Sequence, residues 1–140
     1  MTVEDVKEYL RRYGRVKKII KVYELEMEEF RTAKMNPSLI YDDMPHAHDP
    51  KDLSDYAARL DEMYNKVRCA QEQATDILTE TIDTINSLED ANEREVLIER
   101  YILSKQWEDV AKEVGYSWKQ THRIHGNALM NLKEILEDDK

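Results

Sequence analysis

The residues of this chain best suited to chemistry lie between positions 107 and 126, in the stretch WEDVAKEVGYSWKQTHRIHG. Ser117, Trp118, Lys119, Gln120, His122 and Arg123 fall within the first two turns of one helical pattern, directly after Gly115 and Tyr116. The forked side chains of Gln120 and Arg123 match the edges of adenine and guanine in a major groove, whereas Lys119 suits a phosphate. Trp118 has two readings at this point. An indole there packs on a sugar or a thymine methyl, or it pins the helix to its own domain.

Those residues need two helices to hold them. Val110 and Val114 face inward from a first short helical pattern and Ile124 from the second, while Ala111 sits where the helices approach and a larger side chain would clash. Gly115 suits the end of the first helix, where left-handed backbone angles cost glycine least, and Ser117 can cap the second through its hydroxyl. Together these offsets predict a helix-turn-helix, the motif whose second helix reads DNA.

Charge is an independent indication. The chain has 30 acidic and 21 basic residues and a formal net charge of −9, which excludes a protein that clings to nucleic acid indiscriminately. From position 117 to 133, however, there is no Asp or Glu, and the run contains Lys119, His122, Arg123, His125 and Lys133. A polyanion is tolerated there and repelled elsewhere.

Other constellations point to no catalysis. His46-Ala47-His48-Asp49 gathers two imidazoles and a carboxylate, but no further His or Cys stands at a supporting spacing, so a polar loop is expected rather than a metal site. Tyr41-Asp42-Asp43 is read the same way. No phosphate loop, nucleophile elbow or triad is present, so neither an enzyme nor a cofactor is expected. Cys69 is the sole cysteine, which rules out an intramolecular disulfide, and it is expected to be a small buried helical residue. The six methionines are read as core filler.

The remainder supplies the frame. Only three Gly and three Pro among 140 residues disfavour a sheet with many turns, so an all-α protein is expected. Val6, Tyr9, Tyr13, Val16, Ile20, Tyr23, Met27 and Phe30 alternate at three and four residues, as does a second series of Leu53, Tyr56, Leu60, Met63, Val67, Ala70, Ala74 and Ile77, continuing through Leu78, Ile82 and Ile85. These are coiled-coil-like seams. The stretch 36–50, NPSLIYDDMPHAHDP, holds all three prolines and reads as their connector. The expected organisation is a long N-terminal antiparallel helical hairpin over 1–88, then a C-terminal helix-turn-helix domain over 89–140. Within that domain Asn92 or Asp90 caps a helix with Val96, Leu97, Tyr101 and Ile102 on its apolar face. The N-terminal stretch lacks the apolar core of a signal peptide and no run approaches a bilayer span, so a cytoplasmic location without membrane contact is expected.

At this level the chain resembles a family. Glu93-Arg94-Glu95-Val96-Leu97 with Arg100-Tyr101, then residues 107–117 and 121–133, are similar to region 4 of the sigma-70 class of bacterial transcription initiation factors. The layout as a whole resembles small prophage-encoded, sigma-like proteins of Gram-positive bacteria, related to phage late-gene regulators of the ArpU and RinA kind. The resemblance covers about the last third of the chain. It implies promoter recognition by the helix carrying Ser117 to Arg123, contact with RNA polymerase, and double-stranded DNA as the main partner. The sequence departs from the family at Trp118, where a polar residue is usual, and at Asn127, Met130 and Asn131, where Arg or Lys is frequent. Gly126 sits inside the reading helix at a cost of about 1 kcal/mol relative to Ala. No promoter-melting region is found in the N-terminal hairpin, which is instead assigned to homodimerisation or to polymerase contact. Two alternatives stay open: a small DNA-recognition subunit of a phage packaging machine, and an adaptor that binds only protein, for which the charge of −9 is the support.

Overall fold

The chain is described by a computed structural model covering residues 1–35 and 50–139. Among the described residues all regular structure is helical: α1 (Val3–Met35), α2 (Pro50–Asn86), α3 (Ala91–Leu97) running into a π-helical turn (Ile98–Ile102), α4 (Trp107–Val114) and α5 (Trp118–Asp138). Of the expected connector only Pro50, the first residue of α2, is described. The His46-Ala47-His48-Asp49 and Tyr41-Asp42-Asp43 clusters lie outside the described residues.

Helix starts follow from local chemistry. Thr2 and Asp5 form a reciprocal cap on α1: the Thr2 amide donates to Asp5 Oδ2 at 2.8 Å and the Asp5 amide donates to Thr2 Oγ1 at 3.2 Å. Asp90, one of the two capping candidates, accepts from the amides of Asn92 and Glu93 at the head of α3. Ser117 likewise accepts from the Gln120 amide, at 3.1 Å, to begin α5.

The chain forms two compact units, Met1–Val16 with Ala74–Lys140 and, separately, Lys17–Gln73. They divide the chain within both long helices, elsewhere than at the 88/89 boundary expected from the sequence. In the Lys17–Gln73 unit the partners run in opposite order along α1 and α2. Phe30 stacks on Tyr56 with centroids 5.1 Å apart, and Lys66 lies 4.8 Å over the Tyr23 ring and 3.8 Å from Glu26. Ile20, Met63, Val67 and Ala70 are buried here, as their seam positions require. Leu53, placed on the same seam, is 61% exposed. Cys69, expected to be buried, is exposed.

The larger unit has its main core where the sequence offered no single seam. Val6 and Leu10 of α1 and Ile85 of α2 pack with Leu88, Leu97, Ala128, Leu129 and Leu132. Tyr9 Oη and Thr84 Oγ1 are hydrogen-bonded at 2.9 Å, and Arg12 pairs with Glu80 at 3.3 Å, so α1 is tied to the end of α2 by polar contacts too. Leu88, which follows the last residue of the second seam, is buried as well. A smaller cluster of Val96, Val110 and Ile124, backed by Trp107 and Val114, holds α4 against α5.

The link from α4 to α5 depends on Gly115, which adopts φ +78° and ψ 24° and donates its amide to the Ala111 carbonyl. A Cβ added there would meet nothing within 4 Å, so the demand for glycine comes from backbone angle alone. Gly115→Ala is therefore expected to cost about 1 kcal/mol, read as a lowered denaturant midpoint with unchanged slope. Gly115→Asn, which tolerates left-handed angles better, should recover part of the loss.

Candidate nucleic-acid interface

The turn that presents α5 is held on several sides. Asn92 Nδ2 donates to the Tyr116 hydroxyl at 3.1 Å, which ties residue 116 to α3. Thr121, fully buried, donates its hydroxyl to the Ser117 carbonyl at 2.8 Å and closes the first turn of α5 from within. The first turn of α5 contains no acidic residue, whereas those of α1, α2, α3 and α4 each contain at least one. The positive end of this helix dipole is thus left uncompensated by its own side chains.

The six candidate residues separate into two groups. Ser117, Trp118, Lys119 and Arg123 are exposed, and Gln120 is half-buried. His122 turns toward the protein: its ring centroid lies 4.2 Å from that of Trp107 and 3.9 Å from that of Trp118, and its Nε2 is buried without a hydrogen-bond partner. Of the two readings of Trp118, the structure bears only on the inward one. The indole packs on His122 and still leaves 57% of the residue exposed.

Not every basic residue in the acid-free run reaches the surface. His125 is buried, hydrogen-bonded through Nε2 to the Tyr101 hydroxyl at 2.8 Å, with Trp107 edge-on at 4.7 Å. Burial, reinforced by the nearby cations Lys7, Arg100 and Arg11 and by His122, pushes its pKa down to about 4, so at neutral pH it is uncharged. Tyr101 reaches it from the π-helical turn, where the Leu103 amide donates to the Ile98 carbonyl five residues back, at 2.9 Å. Arg100, on the same turn, donates to the Lys105 carbonyl and lies 4.8 Å over Trp107. Aromatic and basic groups thus form a wall behind α5, and its charge does not reach solvent through His125.

The exposed face continues beyond the six. Gly126, Asn127 and Met130 are exposed at helical spacing from Lys119 and Arg123. A Cβ on Gly126 would meet nothing within 4 Å, so no packing inside the protein requires glycine there. The spacing 119, 123, 126/127, 130 was present in the sequence as the complement of the buried set Thr121, Ile124, His125, Ala128, Leu129 and Leu132. Asn131 bonds within the protein, donating from Nδ2 to Glu93 Oε1 at 2.7 Å. Burial raises the Glu93 pKa, and this hydrogen bond opposes the rise. Among the described residues no group of three or more His, Cys, Asp and Glu is arranged to hold a metal ion. No described helix is long and apolar enough to cross a membrane.

No protein-family model, curated protein or solved structure matches the chain.

Proposed function

We propose that this chain is a sequence-specific DNA-binding transcription regulator of the phage or prophage type, with sigma-like promoter recognition. In this reading α4 and α5 are the two helices of a helix-turn-helix, and the first half of α5 enters the major groove. The long helices α1 and α2 form an antiparallel, coiled-coil-like hairpin that serves association or polymerase contact, and the protein works in the cytoplasm. The observation that carries the reading is the outward face of α5. From Ser117 to Met130 it holds two exposed cations, Lys119 and Arg123, and no acid, in a chain of net charge −9. The helix begins at an N-terminus free of acidic side chains, which favours phosphate, and Gly126 leaves its outer surface low where a groove wall would pass. Arg123 is assigned to a guanine edge, Gln120 to an adjacent adenine edge, and Lys119 to phosphate.

A second reading, an adaptor that binds polymerase or another protein and never meets DNA, is favoured by α4, whose Glu108, Asp109 and Glu113 are exposed beside a single Lys112. Selection from random duplexes at physiological salt distinguishes the two. The regulator enriches a defined site. Arg123→Ala should weaken binding to that site by about 10- to 100-fold and relax one base position, and Gln120→Ala should relax its neighbour. Lys119→Ala should weaken all sequences alike and lower the salt slope by about 1. Failure of the parent chain to enrich any site removes the DNA reading in favour of the adaptor. A site recognised unchanged by Arg123→Ala overturns the assigned register of α5.

A further inference from the structure

We propose that a second copy of this chain docks antiparallel along the flank of α1 formed by Lys18, Ile19, Val22, Leu25 and Glu26, with a two-fold axis passing at Val22. The proposal concerns the Lys17–Gln73 unit and stands apart from whatever α5 binds. In that unit Ile20, Tyr23 and Met27 face α2, and the flank in question lies roughly 130° further around the helix. Ile19 is 45% exposed, and Val22 and Leu25 are each 60% exposed, a contiguous apolar stripe on an otherwise strongly charged helix. Scattered apolar residues on a surface need no explanation, but three at successive three-residue steps form one face. A unit built from segments of two helices also covers only one stripe of each, whereas helical bundles close their cores with three or four.

Charge identifies the occupant. Lys18 lies four residues before Val22 and Glu26 four residues after it, with Ile19 and Leu25 three residues to either side. The stripe is therefore symmetric in apolar character and antisymmetric in charge about Val22. When two such helices run antiparallel, Val22 meets Val22, Ile19 meets Leu25 twice, and Lys18 meets Glu26 twice. This is the self-complementary pattern that a two-fold interface requires, in which residue i contacts j and j contacts i. The parallel arrangement in register sets Lys18 against Lys18 and Glu26 against Glu26, so the same charges select against it. Lys18 and Glu26 are exposed, and the 3.8 Å contact from Glu26 to Lys66 is an exposed surface pair that contributes little against a second cation.

Sedimentation equilibrium on the full chain tests the proposal. The parent chain is expected at twice its 16.6 kDa mass. Val22→Glu faces two carboxylates across the axis and should weaken self-association at least about tenfold. Lys18→Glu alone and Glu26→Lys alone should each weaken it as well. An equimolar mixture of those two variants should recover the dimer, because both Lys–Glu contacts re-form between unlike copies. Circular dichroism establishes that each variant is still helical, and the mixing experiment decides the matter if Val22→Glu is not. A parent chain that is monomeric on the order of 100 µM overturns the proposal. So does a helical Val22→Glu variant that remains dimeric, or a mixture that stays monomeric.

Discussion

Leu10→Ala is expected to unfold the end of the molecule that carries α4 and α5, although more than a hundred residues separate it from α5 in the chain. Leu10 is completely buried, and with Val6 it packs against Leu97, Ala128, Leu129 and Leu132. Truncating a leucine in such a site removes its transfer free energy and leaves a cavity that the surrounding helices fill only in part, at a cost of about 3 kcal/mol. For a unit of this size the midpoint of thermal unfolding should fall by more than about 10 °C. Both tryptophans of the chain, Trp107 and Trp118, stand at the α4–α5 end, so their fluorescence reports this unit directly. Leu53→Ala, at an exposed position, is the matched control and should change stability by less than about 0.5 kcal/mol. An unaltered tryptophan transition in Leu10→Ala would show that the first helix is no part of that core. The same packing predicts that residues 89–140 alone lack a cooperative transition, since the fragment omits Val6, Leu10, Ile85 and Leu88 from the cluster that its own leucines face.

That dependence marks the limit of what the sequence discloses. The α4–α5 link was legible residue by residue, because a left-handed glycine, a hydroxyl cap and a small residue at a helix crossing are each determined within a few positions. Val110, Ala111, Gly115, Ser117 and Ile124 all occupy the environments their types require. The helical character of the described residues was equally plain from the scarcity of turn residues. The role of the first sixteen residues was hidden because α1 there serves two partners. A three-four seam through Val6, Tyr9 and Tyr13 passes over Leu10, which packs with Val6 against the C-terminal helices, while Tyr9 also bonds Thr84 of α2. The division between the compact units falls inside continuous helices, where the three-four seams run through without a break. At the candidate interface the acid-free run overcounted the charge that reaches the surface. A helix that packs along one side must turn some of its residues inward, and here His125 and most of His122 are among them.

The inward histidine leads to the second large effect, a loss of stability in mild acid. His125 is neutral in the folded protein, with its pKa pushed down to about 4 by burial first and then by Lys7, His122, Arg100 and Arg11. In the unfolded chain the same imidazole titrates near 6.5. Between those values the unfolded state binds a proton that the folded state refuses, so stability falls as pH drops through this window and is unaffected by this group above it. The expected loss attributable to His125 is about 2 kcal/mol between pH 7 and pH 5. His125→Gln removes the titration while keeping an amide that can bond the Tyr101 hydroxyl, so its denaturation midpoint should vary less between these two pH values than that of the parent chain. Equal pH dependence in the two proteins would mean that His125 takes up its proton without leaving the fold. The position of the group gives the effect a direction: protonation acts on the inner side of α5, between Tyr101 and Trp107, directly behind the helix whose outer side presents Lys119 and Arg123. Loosening at pH 5 should therefore appear first in the tryptophan signal, ahead of any change in total helicity, because most of the helical residues belong to α1 and α2.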